Sequence, residues 1–355
     1  MQPDPSIRRV LIYRLGSLGD TVVALPCFHL IARVFPNAER RLLTNFPVHA
    51  KAPASAAVLG SSGLVHGYMS YTVGTRNPLE LMRLAAEIRR FRPDVLVYMP
   101  HIRPQNAVRR DRLFFRVAGV RRIVGMAAEA EIKPIFDAAT NLFESEAARL
   151  SRLVSELGDA NPAESASWDM LLNDAERQAA VDALEELIER PLIVCGPGTK
   201  RQAKDWGQEN WRALLTHLSA RYSDHGLVLV GAKEEYAGAD FAAQEWIGPK
   251  LNLCGRLTPR EMAAALGYAK VFLGPDSGPM HVAAAVGVPC VIAFSASTLP
   301  GTWFPHGGQH QVLYRHTSCL GCYLETCTVE GRRCLTSITV AEMGVAVETA
   351  LGGSI

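Results

Sequence analysis

Two hydrophobic rhythms alternate along the chain. Short, continuous apolar runs read as buried strands: Arg9–Tyr13, Arg41–Thr44, Asp94–Met99 and Arg122–Gly125 in the first half. Between them, apolar positions three and four apart predict helices over Asp20–Val34, Pro78–Phe91, Asn106–Val117 and Glu144–Leu157. The second of these helices stops before Arg92-Pro93, because a residue preceding proline is steered away from helical geometry. From Gly158 to Asn173 the rhythm is lost; Asn161-Pro162 and several serines mark a linker. A helix over Asp174–Glu189 then leads into a second series. Its strands are Leu192–Cys195, Leu227–Val230, Leu251–Leu253, Val271–Leu273 and Pro289–Phe294. Its helices are Glu209–Tyr222, Glu234–Trp246, Pro259–Tyr268 and Met280–Val286.

Two consecutive βαβ series predict an α/β protein of two doubly wound, Rossmann-like domains with a cleft between them. The division expected is residues 1–165, residues 166–338, and a last helical stretch, residues 339–355, with no strand after it.

Composition narrows the class. The 355 residues are 48% hydrophobic and 20% charged, which suits a soluble globular enzyme. A net charge of +2 argues against a whole-molecule polyanion binder, and no nucleic-acid partner is expected. Charge is uneven, however: Arg83 to Lys133 holds twelve Lys or Arg against five Asp or Glu. That stretch reads either as solvated helix faces or as a basic wall toward an anionic acceptor or a membrane surface. Met-Gln-Pro-Asp-Pro opens the chain, and neither a signal-peptide core nor a membrane-length apolar run follows. The expectation is a cytoplasmic protein, soluble or peripheral on the inner face of the inner membrane.

Cys27, Cys195, Cys254 and Cys290 lie singly among apolar residues and read as reduced core positions. The other four cysteines, Cys319, Cys322, Cys327 and Cys334, cluster with spacings x2, x4 and x6. They could close a structural zinc or iron site or remain reduced thiols, and disulfides fit a reducing compartment least.

Chemistry concentrates in three motifs. After the first strand, Gly16 and Gly19 turn the chain and Asp20 stands where a helix should start, a carboxylate at a strand-to-helix corner. After Leu192–Cys195 comes Gly196-Pro197-Gly198-Thr199-Lys200-Arg201-Gln202-Ala203-Lys204, whose glycines admit a ligand to the backbone and whose cations suit a diphosphate. It lacks the second Gly-Lys-Ser/Thr element of a Walker loop. The third is Gly274-Pro275-Asp276-Ser277-Gly278-Pro279-Met280-His281, where a helix start offers backbone N–H groups to an anion. Asp276 and Ser277 are equally good helix caps, and His281 falls about one turn into the helix.

The order Gly-x-Leu-Gly-Asp, Lys-x-Trp, Asp-Ser-Gly-x-x-His-x-Ala-Ala resembles the heptosyltransferase-like glycosyltransferases, glycosyltransferase family nine, over about residues 8 to 340. That resemblance implies a GT-B architecture and a sugar transfer that inverts configuration and needs no metal. The donor implied is ADP-heptose, and the acceptor a hydroxyl of an anionic glycan or glycolipid such as the lipopolysaccharide inner core. Asp20 would be the catalytic base. Thr199, Lys200, Lys204, Glu235, Leu257, Asp276, Ser277, Gly278 and His281 would bind the donor, with Glu235 on the ribose and Leu257 against the adenine. The last helix would cross back to the first domain. His101, Arg103 and Arg109 follow the strand at Asp94–Met99 and are expected on the acceptor side. No Asp-x-Asp pair is present, so fixed cations would stabilise the departing diphosphate. A GT-B nucleotide-sugar epimerase and a non-catalytic nucleotide-sugar-binding protein are the alternatives. Donor incubated alone separates the first, and tight ADP binding without transfer separates the second.

Overall fold

The computed structural model describes residues 4–45 and 55–352, which divide into two compact units at Met170 and Leu171. In the first unit, strands β1 (Arg9–Tyr13), β2 (Glu39–Asn45), β3 (Gly67–Tyr71), β4 (Val95–Tyr98) and β5 (Arg122–Val124) form a parallel sheet in the order β3-β2-β1-β4-β5. Its helices are α1 (Leu18–Val22), α2 (Leu25–Val34), α3 (Ser55–Leu59), α4 (Pro78–Phe91), α5 (Gln105–Val117), α6 (Glu129–Ile132) and α7 (Glu146–Leu153). A small antiparallel hairpin, β6 (Phe136–Asp137) and β7 (Leu142–Phe143), precedes α7.

The second unit repeats the plan. Strands β8 (Leu192–Cys195), β9 (Gly226–Leu229), β10 (Lys250–Asn252), β11 (Ala269–Pro275), β12 (Cys290–Ala293) and β13 (Gln311–Leu313) are all parallel, in the order β10-β9-β8-β11-β12-β13. Helices α8 (Asp174–Leu184), α9 (Gln208–Arg221), α10 (Tyr236–Ala242), α11 (Pro259–Leu266), α12 (Gly278–Ala285), α13 (Arg333–Thr336) and α14 (Val340–Ala350) accompany it.

The central strands are apolar throughout because a parallel sheet is covered on both faces. Val-Leu-Ile-Tyr of β1, Val-Leu-Val-Tyr of β4 and Leu-Ile-Val-Cys of β8 are all buried. Helix starts follow local chemistry. Asn77 caps α4 through Leu79 N–H, and Thr258 with Glu261 and Thr339 with Glu342 form reciprocal caps on α11 and α14. The helix expected over Asp20–Val34 is two helices, α1 and α2, with Pro26 in the first turn of α2.

Two expectations change. The stretch read as a linker is packed: Trp168 and Met170 are buried, and His29 Nε2–H donates to the Asp169 carbonyl at 2.7 Å, holding this segment on the first unit. Tryptophan burial overrides the polar, proline-containing sequence around it. The last helix, for which the resemblance implied a crossing to the first half, packs on α9, β12 and β13 and belongs to the second unit, with Met343 and Val347 in its core.

That core is anchored by Trp206 and Trp211, which meet edge to face at 4.7 Å. Trp206 Nε1–H donates to the Ile338 carbonyl at 2.9 Å, whereas the buried Trp211 Nε1 has no hydrogen-bond partner among the described residues. Trp211→Ala is expected to destabilise the second unit by about 3–5 kcal/mol. Trp211→Phe should cost distinctly less, since it keeps a ring and removes an unpaired N–H. Urea titrations of the three proteins check the order; equal losses would contradict it.

Candidate active site

In each unit the chain leaves the central strand toward one side of the sheet and returns on its other neighbour, so a topological switch point lies beyond the C-terminal ends of β1 and β4, and again of β8 and β11. The three sequence motifs sit at these two points.

In the first unit, Gly16 turns the chain after β1 with φ +128°, and its N–H donates to Asn45 Oδ1 at 2.7 Å. A Cβ on Gly16 would lie 2.2 Å from that of Asp20, so only glycine leaves room for the carboxylate. Asp20 is the third residue of α1. Its Oδ2 accepts from Ser17 N–H at 2.8 Å and Ser17 Oγ–H at 3.1 Å. Among the described residues its Oδ1 makes only two longer contacts, to Arg14 Nη2 at 3.8 Å and His101 Nε2 at 3.7 Å.

A buried chain of alternating charge stands behind this carboxylate. Arg14 Nη1 donates to Glu146 Oε1 at 3.0 Å. Arg149 grips both Glu146 oxygens, Nε to Oε2 at 2.6 Å and Nη2 to Oε1 at 2.7 Å. Its remaining donors reach the carbonyls of Ile132 and Pro100. Arg14 and Arg149 are 1% and 0% exposed. Burial alone would raise the pKa of Asp20, but His101, Arg14 and the Ser17 donors outweigh it and hold the carboxyl below its ordinary value. Glu146 is likewise held low, burial being outweighed by Arg14 and Arg149. Burial pushes the His101 pKa down against the opposing pull of the Asp20 charge, and its Nε2–H donates to the Leu15 carbonyl at 3.0 Å.

His101 therefore joins Asp20, while Arg103 and Arg109 do not. The Arg103 guanidinium pairs with Asp111 and donates to the hydroxyls of Tyr98 and Tyr13, each at 3.2 Å. Instead of presenting a free cation, it ties the ends of β1 and β4 to α5. Arg109 is exposed on α5. Arg14, Glu146 and Arg149 were not singled out from the sequence. Their signal was present: Glu146 and Arg149 share a helix face with the apolar Leu150 and Leu153, where charge is out of place.

In the second unit the donor candidates line the C-terminal ends of β10, β9, β8 and β11. Lys204 Nζ pairs with Asp276 Oδ2 at 2.6 Å, so two residues both expected to bind the donor hold each other. The Glu235 carboxylate lies against Gly198, where a Cβ would come within 2.3 Å of its Cδ, and accepts from Ala232 N–H at 2.7 Å. Its neighbour Glu234 is exposed, whereas Glu235 is half-buried. Thr199 is half-buried and Lys200 exposed on the same loop. Leu257 is half-buried just before the cap of α11. Ser277 is the N-cap of α12, yet its hydroxyl makes no capping bond, and Gly278 and Pro279 open the helix. His281 is buried, with its ring 5.9 Å from that of Trp303.

Of the two readings left open for the clustered cysteines, the structural metal finds no support. Among the described residues no group of three or more His, Cys, Asp or Glu is placed to hold an ion. Cys334 is buried with its Sγ 3.9 Å from Ser295 Oγ, whereas the Cys327 Sγ accepts from Arg332 N–H at 3.2 Å. The short helix α13 carries Cys334 into the core beside Leu335, so sequence proximity does not gather the thiols.

Glu146→Gln leaves two buried guanidinium groups short of a counter-charge and should cost roughly 3–5 kcal/mol at pH 7. The folded pKa values of Glu146 and Asp20 lie below those of the unfolded chain, so their contribution is complete above about pH 4.5 and is lost as pH falls through the folded values. The thermal midpoint of the wild type should therefore fall more steeply below pH 4.5 than that of Glu146→Gln. Parallel curves would contradict the linkage.

Residues 114–332 match the family model of glycosyltransferase family 9 (heptosyltransferase). Lipopolysaccharide heptosyltransferase 3 of Escherichia coli is 31% identical over 106 residues, 30% of this chain and 31% of that protein. The chain matches less than half the length of such curated relatives, from 31% to 47%. A glycosyltransferase family 9 structure from Veillonella parvula superposes with a TM-score of 0.73 at 16% identity, covering 100% of this chain and 99% of that one. The E. coli heptosyltransferase WaaC solved with ADP gives 0.65 at 19% identity, over 96% and 99% of the two chains. The same enzyme with ADP-2-deoxy-2-fluoro heptose gives 0.62 at 18% identity, over 96% and 99%. These likenesses confirm the GT-B fold of two Rossmann-like domains. Because the family model covers more than half of its residues, the chain belongs to glycosyltransferase family 9, the heptosyltransferase family.

Proposed function

We propose that the protein transfers a sugar, a heptose, from an ADP-sugar to a hydroxyl of an anionic glycan such as the lipopolysaccharide inner core, inverting the anomeric configuration. The observation that carries this reading is the Asp20 carboxylate. It is ionised at neutral pH, one oxygen is fixed by Ser17, and the other makes only longer contacts among the described residues. A carboxylate in that state accepts a proton from a hydroxyl as the hydroxyl oxygen attacks. The bond from the anomeric carbon to the diphosphate breaks as the new glycosidic bond forms, and ADP leaves.

Family membership supports the glycosyl-transfer chemistry, and WaaC solved with ADP supports adenosine diphosphate as the leaving group. In this reading the second unit binds the donor. Lys204 carries three N–H donors, and with one given to Asp276 the others serve the diphosphate. The N-terminus of α12 at Ser277, Gly278 and His281 adds its dipole, and Thr199 and Lys200 extend the same wall. Glu235 would take the ribose hydroxyls and Leu257 the adenine face. Acceptor contacts are assigned to His101 and to Arg109 and Arg110 on α5. Arg103 is assigned to holding that corner rigid. Among the described residues no helix is long and apolar enough to cross a membrane, and contact with a membrane surface is left to the exposed arginines of α5.

General-base assistance is typically worth about 10²–10⁴-fold in rate. Asp20→Asn should lose turnover with ADP-heptose and a deacylated inner-core acceptor by about that factor, while binding ADP as tightly as the wild type in calorimetry. Wild-type turnover in this variant would overturn the assignment. In a thermal-shift panel ADP-sugars should stabilise the protein and UDP- or GDP-sugars should not.

A further inference from the structure

The C-terminal end of β12 runs into Phe294–Thr302, a loop that no sequence motif marks. β12 is hydrogen-bonded to β11, so this loop emerges beside the Asp276–Ser277 corner. It is tied to the donor candidates from two directions. Ser295 Oγ–H donates to the carbonyl of Ala203, the residue before Lys204, at 2.8 Å. At its other end Trp303 packs on the His281 ring. Its backbone is fixed as well: Ser297 N–H donates to Ser295 Oγ at 3.1 Å, and Tyr323 N–H donates to the Ser297 carbonyl at 2.8 Å.

Within this held loop, Ser297 and Thr298 are 3% and 5% exposed, yet neither hydroxyl has a hydrogen-bond partner among the described residues. Ser277 Oγ, beyond the neighbouring strand, is in the same state. These three are the buried hydroxyls without a partner among the described residues, and all follow the C-terminal ends of the adjacent strands β11 and β12. Buried hydroxyls are almost always paired in folded proteins, because an unpaired one forfeits its hydration. Three together on loops beyond adjacent strands, one loop tied to the lysine turn, form a set of donors awaiting acceptors. Anionic oxygens are the acceptors such a set binds most strongly.

We propose that Ser297 and Thr298, with Ser277, donate hydrogen bonds to the diphosphate oxygens of the nucleoside diphosphate sugar, extending the anion site beyond Lys204 and the start of α12. This rests on the donor reading above and adds a loop to it.

The test compares ADP with adenosine monophosphate by titration calorimetry, on wild type, Ser297→Ala, Thr298→Val and Thr298→Ser. A hydrogen bond to a charged group is worth enough that Thr298→Val should weaken ADP binding by roughly tenfold or more, with a smaller loss for Ser297→Ala. Binding of the monophosphate, which lacks the second phosphate, should change by less than about twofold in both variants. Thr298→Ser should restore ADP affinity. The unliganded thermal midpoint of Thr298→Val should equal or exceed that of the wild type, since valine fills the same volume without an unpaired hydroxyl. A lowered midpoint with equal losses for both nucleotides would make the hydroxyls structural and overturn the proposal, as would unchanged ADP affinity in both variants. Failure of the wild type itself to bind ADP would sink the donor reading before any variant is compared.

Discussion

The first unit depends on keeping one carboxylate charged where little water reaches it. Asp20 sits at the end of β1 under conditions that favour its neutral form, and three contacts reverse the preference: Arg14, His101 and the Ser17 donors. Arg14 is itself buried, and its charge is tolerable only because Glu146 faces it. Glu146 in turn is matched by Arg149, whose spare donors end on two backbone carbonyls. Each charge answers the desolvation of the one before, and the series ends on neutral dipoles. Such networks are poor sources of stability compared with apolar packing, but they fix geometry and protonation state. Here they fix the direction and the ionisation of a base.

The same architectural device serves both units. Each parallel sheet has its central strand flanked by chain that departs in opposite directions, and each places its chemistry where those paths diverge. In the first unit that place holds a carboxylate with cations behind it. In the second it holds a lysine–aspartate pair, a helix start and a set of buried hydroxyls. The contrast matches the division of labour proposed: one end accepts a proton, the other accepts an anion.

Much of this was legible in the sequence because the strands that position it are continuous apolar runs. β1 and β8 begin and end where Arg9–Tyr13 and Leu192–Cys195 predicted. β3 and β13 were not anticipated, because one carries Gly-Tyr-Met-Ser-Tyr on a sheet edge and the other is three half-buried residues. The motif residues stand at the strand ends expected of them, but their pairings could not be read. Arg103 looked like a ligand-facing cation until Asp111, eight positions along and on α5, consumed it. Lys204 and Asp276 are far apart in sequence and joined only by the adjacency of β8 and β11. Cysteine spacing left a metal and reduced thiols equally open, and a helix that buries Cys334 separates it from the others. The segment around Trp168 shows the opposite failure, where turn residues concealed a packed aromatic anchor.

Ionisation of Asp20 underlies the proposed chemistry, and it can be followed at the Asp20 carboxyl itself. Protein labelled with ¹³C at aspartate carboxyl carbons, with Asp20→Asn to identify the resonance, would give the titration by NMR. The expected midpoint lies below the roughly 3.9 of an unperturbed aspartate and rises toward or above that value when Arg14 is replaced by methionine. A midpoint at 5 or higher in the wild type would mean that burial wins over Arg14 and His101, and would contradict a pre-ionised base.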